Sequence, residues 1–219
     1  MRFNNQNNHR AAVSSSRILS LPRGHRAKDS GLPVAAYRER ATQGQMQRSA
    51  LGGSEDWHEP RGRGPTRFIV NAAGGEFVHP VSVREVRDRI AQLPEQFTRD
   101  LEVLQFSTMT RKRRTFPCYG MQWGSAVYLY PIEKDLVEVY GSPPNPQQII
   151  EARMFGGQWK QDGKRWKLEW TPTAIKDFYL NNVLIHEIGH LNDPRNTRPR
   201  DRERFANWFA IEYGYRPTH

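Results

Sequence analysis

His186-Glu187-Ile188-Gly189-His190, preceded by the apolar run Val183-Leu184-Ile185, is the stretch whose reading decides the fold. At 3.6 residues per turn, His186 and His190 stand one turn apart on the same helix face. Two imidazoles so placed can share one Zn²⁺, with bonds of about 2.0–2.1 Å. Glu187 is rotated about 100° from His186, so its carboxylate flanks the metal instead of ligating it. From there it can take a proton from a water that the metal acidifies, which makes it a candidate general base. Ala174, Ile175, Phe178, Val183 and Ile185 recur at helical spacing upstream, so the helix belongs to a core. A core helix that presents two histidines and a glutamate together points to a site.

Zinc requires a third protein ligand, and Asp193, Glu203, Glu212 and His219 are the candidates downstream. Asp193 lies where the helix is ending, beside Pro194. Glu203 and Glu212 are nine residues apart on the next helix, hence on opposite faces, and only one can meet the metal. Glu203 shares its edge with Ala206 and Ala210, small residues that let two helices approach closely, so Glu203 is the expected third ligand. Tyr213, Tyr215 and His219 are candidates for stabilising an oxyanion, and the sequence does not choose among them.

Working outward, the chain divides in two. Residues 1–66 are rich in Arg, Ser, Gly, Gln and Asn without a sustained apolar period, and are expected to be a disordered basic extension. Residues 67–219 hold nearly all the Trp, Phe and Ile and are expected to fold as one domain. The formal charge of +10 follows the same division: residues 1–66 carry 11 basic and 5 acidic side chains, or +6, and the remainder 22 and 18, or +4. Such an arm suits weak, salt-dependent contact with nucleic acid or another anionic surface. One cysteine, Cys118, excludes an intramolecular disulfide, and no apolar stretch is long enough to span a membrane. With no secretory signal core either, the expected location is cytoplasmic.

Within the domain, Phe68–Val70, Leu101–Phe106, Ser125–Ile132 and Leu136–Tyr140 read as strands. Ser82, with Glu85 three residues on, caps a helix expected from Val83 to about Leu93, which Pro94 interrupts. The basic run Arg111-Lys112-Arg113-Arg114 reads as a solvated loop. Gln147–Met154 reads as a short helix, and Gly156–Trp170 as a hairpin turning at Asp162-Gly163. Thr171-Pro172 opens a helix to about Leu191, and a last helix is expected from Pro199 to Tyr213, ending at Gly214. The fold class is α+β.

His186 to His190, followed by Glu203-Arg204-Phe205-Ala206-Asn207-Trp208-Phe209-Ala210, resembles the gluzincin pattern, in particular the small ImmA/IrrE-like metallopeptidases. The resemblance covers residues 173–213, with a connection of only 12 residues between His190 and Glu203. It implies that His186, His190 and Glu203 bind zinc, that Glu187 is the base, and that the substrate is a peptide or protein. It also implies a zincin-like fold in which an edge strand hydrogen-bonds an extended substrate; Ser125–Tyr130 or one arm of the 156–170 hairpin would fill that role. The alternative is a zincin-shaped binding module without cleavage, associated with nucleic acid through its basic arm.

Overall fold

A computed structural model of the chain describes His58, Arg61, Gly62, residues 64–115 and residues 118–219. Most of the expected basic extension, together with Phe116 and Pro117, lies outside the described residues. His58 meets Gln105 at 2.7 Å, and the Arg61 amide donates to Glu102.

The main sheet has four strands in the order β1-β3-β5-β4: β1 is Arg67–Val70, β3 Val103–Phe106, β4 Gly120–Trp123 and β5 Ala126–Leu129. β1, β3 and β5 run parallel, and β4 returns antiparallel to β5. β3 and β5 are buried along their whole length, as expected of interior strands covered on both faces. A second, two-stranded sheet pairs β2 (Phe77–Val78) with β6 (Ile132–Glu133). A third places β7 (Val137–Tyr140) beside β9 (Arg165–Glu169), and β9 beside β8 (Gln158–Asp162).

The helix that bears the histidines packs on β4 and β5 of the main sheet. α1 (Val83–Ala91) begins at Ser82, whose side chain accepts from the Glu85 amide while Glu85 reaches back to the Ser82 amide. α2 (Glu95–Thr98) is a single turn after Pro94. α4 (Pro146–Met154) is capped by Asn145 and packs on β8. The helix that bears the histidines starts at the Thr171 cap as α5 (Pro172–Phe178), widens into a π-helical turn at Tyr179–Val183 and continues as α6 (Leu184–Leu191). α7 (Pro199–Ala210) packs against α6.

Several expectations need correction. The last helix does not end at Gly214: it passes through a second π-helical turn, Ile211–Tyr215, into the short α8 (Arg216–Thr218). Gly214 is required instead by packing, because a Cβ there would collide with the Asn181 carbonyl of the other π-helical turn. Arg89 of α1 ties these two turns together, donating to Asn181 Oδ1 at 2.6 Å and to the Tyr213 carbonyl at 2.5 Å. The hairpin turns at Gly163-Lys164, since Asp162 still pairs with Arg165, and Gly163 supplies the positive φ of 60°.

The basic run is helical, not a solvated loop: α3 is Arg111–Thr115, and Arg113 is buried on the far face of the main sheet. Its guanidinium donates to Tyr130 Oη at 2.8 Å and lies over the Tyr130 ring. A flat cation can satisfy its donors at polar edges while its face rests on an aromatic ring, which is why an arginine tolerates this place. No helix among the described residues is long and apolar enough to cross a membrane.

Candidate metal centre

His186, Glu187 and His190 stand in the middle of a helix that the core encloses on nearly every side. They are 0%, 0% and 2% exposed. The imidazole Nε2 atoms of His186 and His190 face each other at 3.1 Å. Glu203 reaches both from α7, with Oε2 3.6 Å from His186 Nε2 and Oε1 3.5 Å from His190 Nε2. Among the described residues these three form the one cluster able to hold a metal ion.

The donor set fits zinc. Tetrahedral bonds of about 2.0–2.1 Å place neighbouring donor atoms about 3.3–3.4 Å apart, and the three separations here bracket that value. Two imidazole nitrogens and one carboxylate leave a fourth position for water or substrate, as in catalytic rather than structural zinc sites. Burial, followed by the neighbouring His186 and the Arg202 charge, pushes His190 down to about 2. It is therefore held in its neutral form, the form that ligates.

Close helix packing brings Glu203 into reach. A Cβ on Gly189 would lie 3.0 Å from Ala206 Cα and 3.0 Å from Phe209 Cβ, so Gly189 and Ala206 set the approach of α6 to α7. The other candidates for third ligand are occupied elsewhere. Glu212 pairs with Arg216 at 2.5 Å, Asp193 accepts hydrogen bonds from Asn196, and His219 pairs with Asp177 at 2.9 Å. Tyr213 packs on Phe97 and Phe209, and Tyr215 stacks on His219. None of the three expected oxyanion candidates makes these contacts at the metal cluster.

The strand beside Glu187 is not one of the two expected. Ser125–Tyr130 contains β5, an interior strand, and the 156–170 hairpin belongs to the third sheet. β4 is the outer strand of the main sheet next to α6, and a Cβ on its Gly120 would sit 2.7 Å from Glu187 Oε1. The sequence does carry a signal for it: Gly124-Ser125 separates two short apolar runs by two residues, a hairpin spacing. Arg202, which has no local signature, also belongs to the site. Its Nη2 lies 3.4 Å from Gln122 Oε1 of β4 and 3.5 Å from the His190 carbonyl, bridging the two sides.

No family model matches this chain, and no curated protein and no solved structure matches it. The likeness to gluzincins therefore stands on residues 186–190 and 203–210.

Proposed function

We propose that this chain is a zinc-dependent metallopeptidase with a zincin-like arrangement. The observation that carries the reading is the convergence of His186, His190 and Glu203 at 3.1–3.6 Å, with Glu187 buried beside them on the same helix. A purely structural zinc site has no use for that second carboxylate. The antiparallel outer strand β4, running past Glu187, supports an extended peptide as the substrate.

His186, His190 and Glu203 would hold the zinc, which would supply a Lewis acid to polarise the scissile carbonyl and acidify water. Glu187 accepts the proton of the attacking water and passes it to the departing amine, so one carboxylate serves as base and then as acid. Gly120 leaves the room that Glu187 needs, and the walls formed by Val183, Ile188 and Phe209 keep bulk solvent from the helix.

The test pairs metal content with turnover. Protein purified without chelator is expected to hold one zinc per chain and to cleave a denatured protein substrate. Glu187→Gln is expected to keep the zinc and lose the cleavage. Wild-type protein that holds no zinc would end the proposal.

A further inference from the structure

The connection from His190 to Glu203 and the start of α7 carry five arginines: Arg195, Arg198, Arg200, Arg202 and Arg204. All but Arg202 are exposed. Among the described residues, none of the four exposed guanidiniums has an ion pair or a hydrogen bond. Elsewhere on the surface Arg84, Lys160, Lys167, Lys176 and Arg216 each hold a carboxylate. The acidic groups on the same segment do not offset the arginines. Asp193 is buried and holds Asn196, Glu203 faces the imidazoles, and Asp201 makes no ion pair among the described residues.

Arg202 is the inner end of this row. It is half-buried, its Nε is shut off from solvent without a partner, and its Nη2 makes only the long contacts to Gln122 and to the His190 carbonyl. Arg202 thus places a positive charge between the His190 carbonyl and the outer strand β4, and the four exposed arginines flank it along the connection and the start of α7. Like charges gathered at the mouth of a site raise the local potential and draw in a ligand of opposite sign.

We propose that this arginine-bearing connection is a substrate-docking surface, and that the site takes peptides or proteins carrying an acidic segment next to the scissile bond. The inference rests on the peptidase reading and names the substrate class for it. A short acidic segment fits better than a polynucleotide. Four exposed arginines without a carboxylate partner gather on one short connection, while residues 67–219 as a whole carry only +4. Arg202 also reaches β4, where a peptide backbone would enter.

The experiment uses the full-length, zinc-loaded Glu187→Gln chain, so that binding is read without turnover. Two fluorescein-labelled ten-residue peptides, one rich in Glu and one with Gln in place of every Glu, are compared by anisotropy at low and high salt. The Glu-rich peptide is expected to bind about tenfold tighter at low salt, with the advantage lost once salt screens exposed charges. The added triple substitution Arg195→Gln, Arg198→Gln, Arg200→Gln is expected to abolish most of that advantage while keeping zinc content and melting temperature. The basic extension is common to both proteins, so the difference reads these arginines alone. Equal binding of the two peptides, or an advantage that survives the triple substitution, overturns the proposal. So does tighter, arginine-dependent binding of a single-stranded oligonucleotide of equal charge, which would assign the surface to nucleic acid. Failure of the peptidase reading shows separately, as wild-type protein without zinc or turnover.

Discussion

Gly120 on β4 and Glu187 on α6 occupy space that only a glycine at 120 leaves open. A Cβ at residue 120 would lie 2.7 Å from Glu187 Oε1, 2.9 Å from its Cγ and 3.0 Å from Val183 Cγ1. Gly120→Ala must therefore push either the strand or the carboxylate. Because none of these nearest atoms belongs to a metal ligand, zinc content is expected to stay at the wild-type level. Turnover is expected to fall about 100-fold, the order of loss that a misplacement near 1 Å produces. A Gly120→Ala protein with wild-type turnover would show that Glu187 is not the proton-transfer group.

Glu203 and Glu212 sit on one continuous helical segment and face different partners. Glu203 lies within 3.6 Å of both imidazoles, whereas Glu212 holds Arg216. Competition with a zinc chelator is expected to show affinity reduced about 100-fold or more in Glu203→Gln and unchanged in Glu212→Gln. Equal affinities in the two variants would remove Glu203 from the ligand set.

Two buried carboxyls make stability depend on pH. Burial pushes Glu138 up to about 7, although Tyr119, Tyr140 and Trp170 all donate to it. Burial likewise pushes Glu151 up to about 8, against the hydrogen bond from Asn182. Both folded-state values lie above the ordinary value of 4.5, so the folded chain holds protons that the unfolded chain releases. Their stabilising contribution is full below about pH 4.5 and is lost as pH rises through 7 and 8. The loss is on the order of a few kcal/mol, because each tenfold difference in proton affinity is worth about 1.4 kcal/mol. Urea unfolding of the wild type against Glu138→Gln and Glu151→Gln between about pH 5 and about pH 8.5 checks this. Each variant should flatten the fall in stability with rising pH; parallel curves would contradict it.

Gly214 is the contact between the two π-helical turns. With Asn181 held by Arg89, neither backbone has room to retreat. Gly214→Ala is expected to cost about 2–3 kcal/mol of folding stability, measured as a lower urea midpoint with an unchanged slope. An Ala variant as stable as wild type would mean that the turns can slide apart.

The clustering of His186, His190 and Glu203 was legible because its information is local. The spacing of His186 and His190, and the small residues Ala206 and Ala210 beside Glu203, are repeats of one helix, and helix geometry converts spacing into direction without knowledge of the rest of the fold. The capping box at Ser82 and the Thr171-Pro172 start are equally local, and they fall where the side-chain chemistry demands. Strand roles were not legible in this way. Ser125–Tyr130 has the composition of a strand whether it lies inside a sheet or at its edge, and only the pairing of β3 on one side and β4 on the other makes it interior. The buried Arg113 and the widened turns at Tyr179–Val183 and Ile211–Tyr215 escaped for the same reason. A guanidinium is buried only if distant Tyr130 and Met121 arrive to accept its protons. Gly214 looks like a helix stop until Asn181 of another helix is packed against it. The sequence by itself thus determined the α+β class, most element positions and the grouping of His186, His190 and Glu203, all consequences of periodicity along one chain segment. Which strand flanks Glu187, which arginine is buried and how two helices interlock were decided by tertiary structure, because each depends on contacts between residues far apart in the chain.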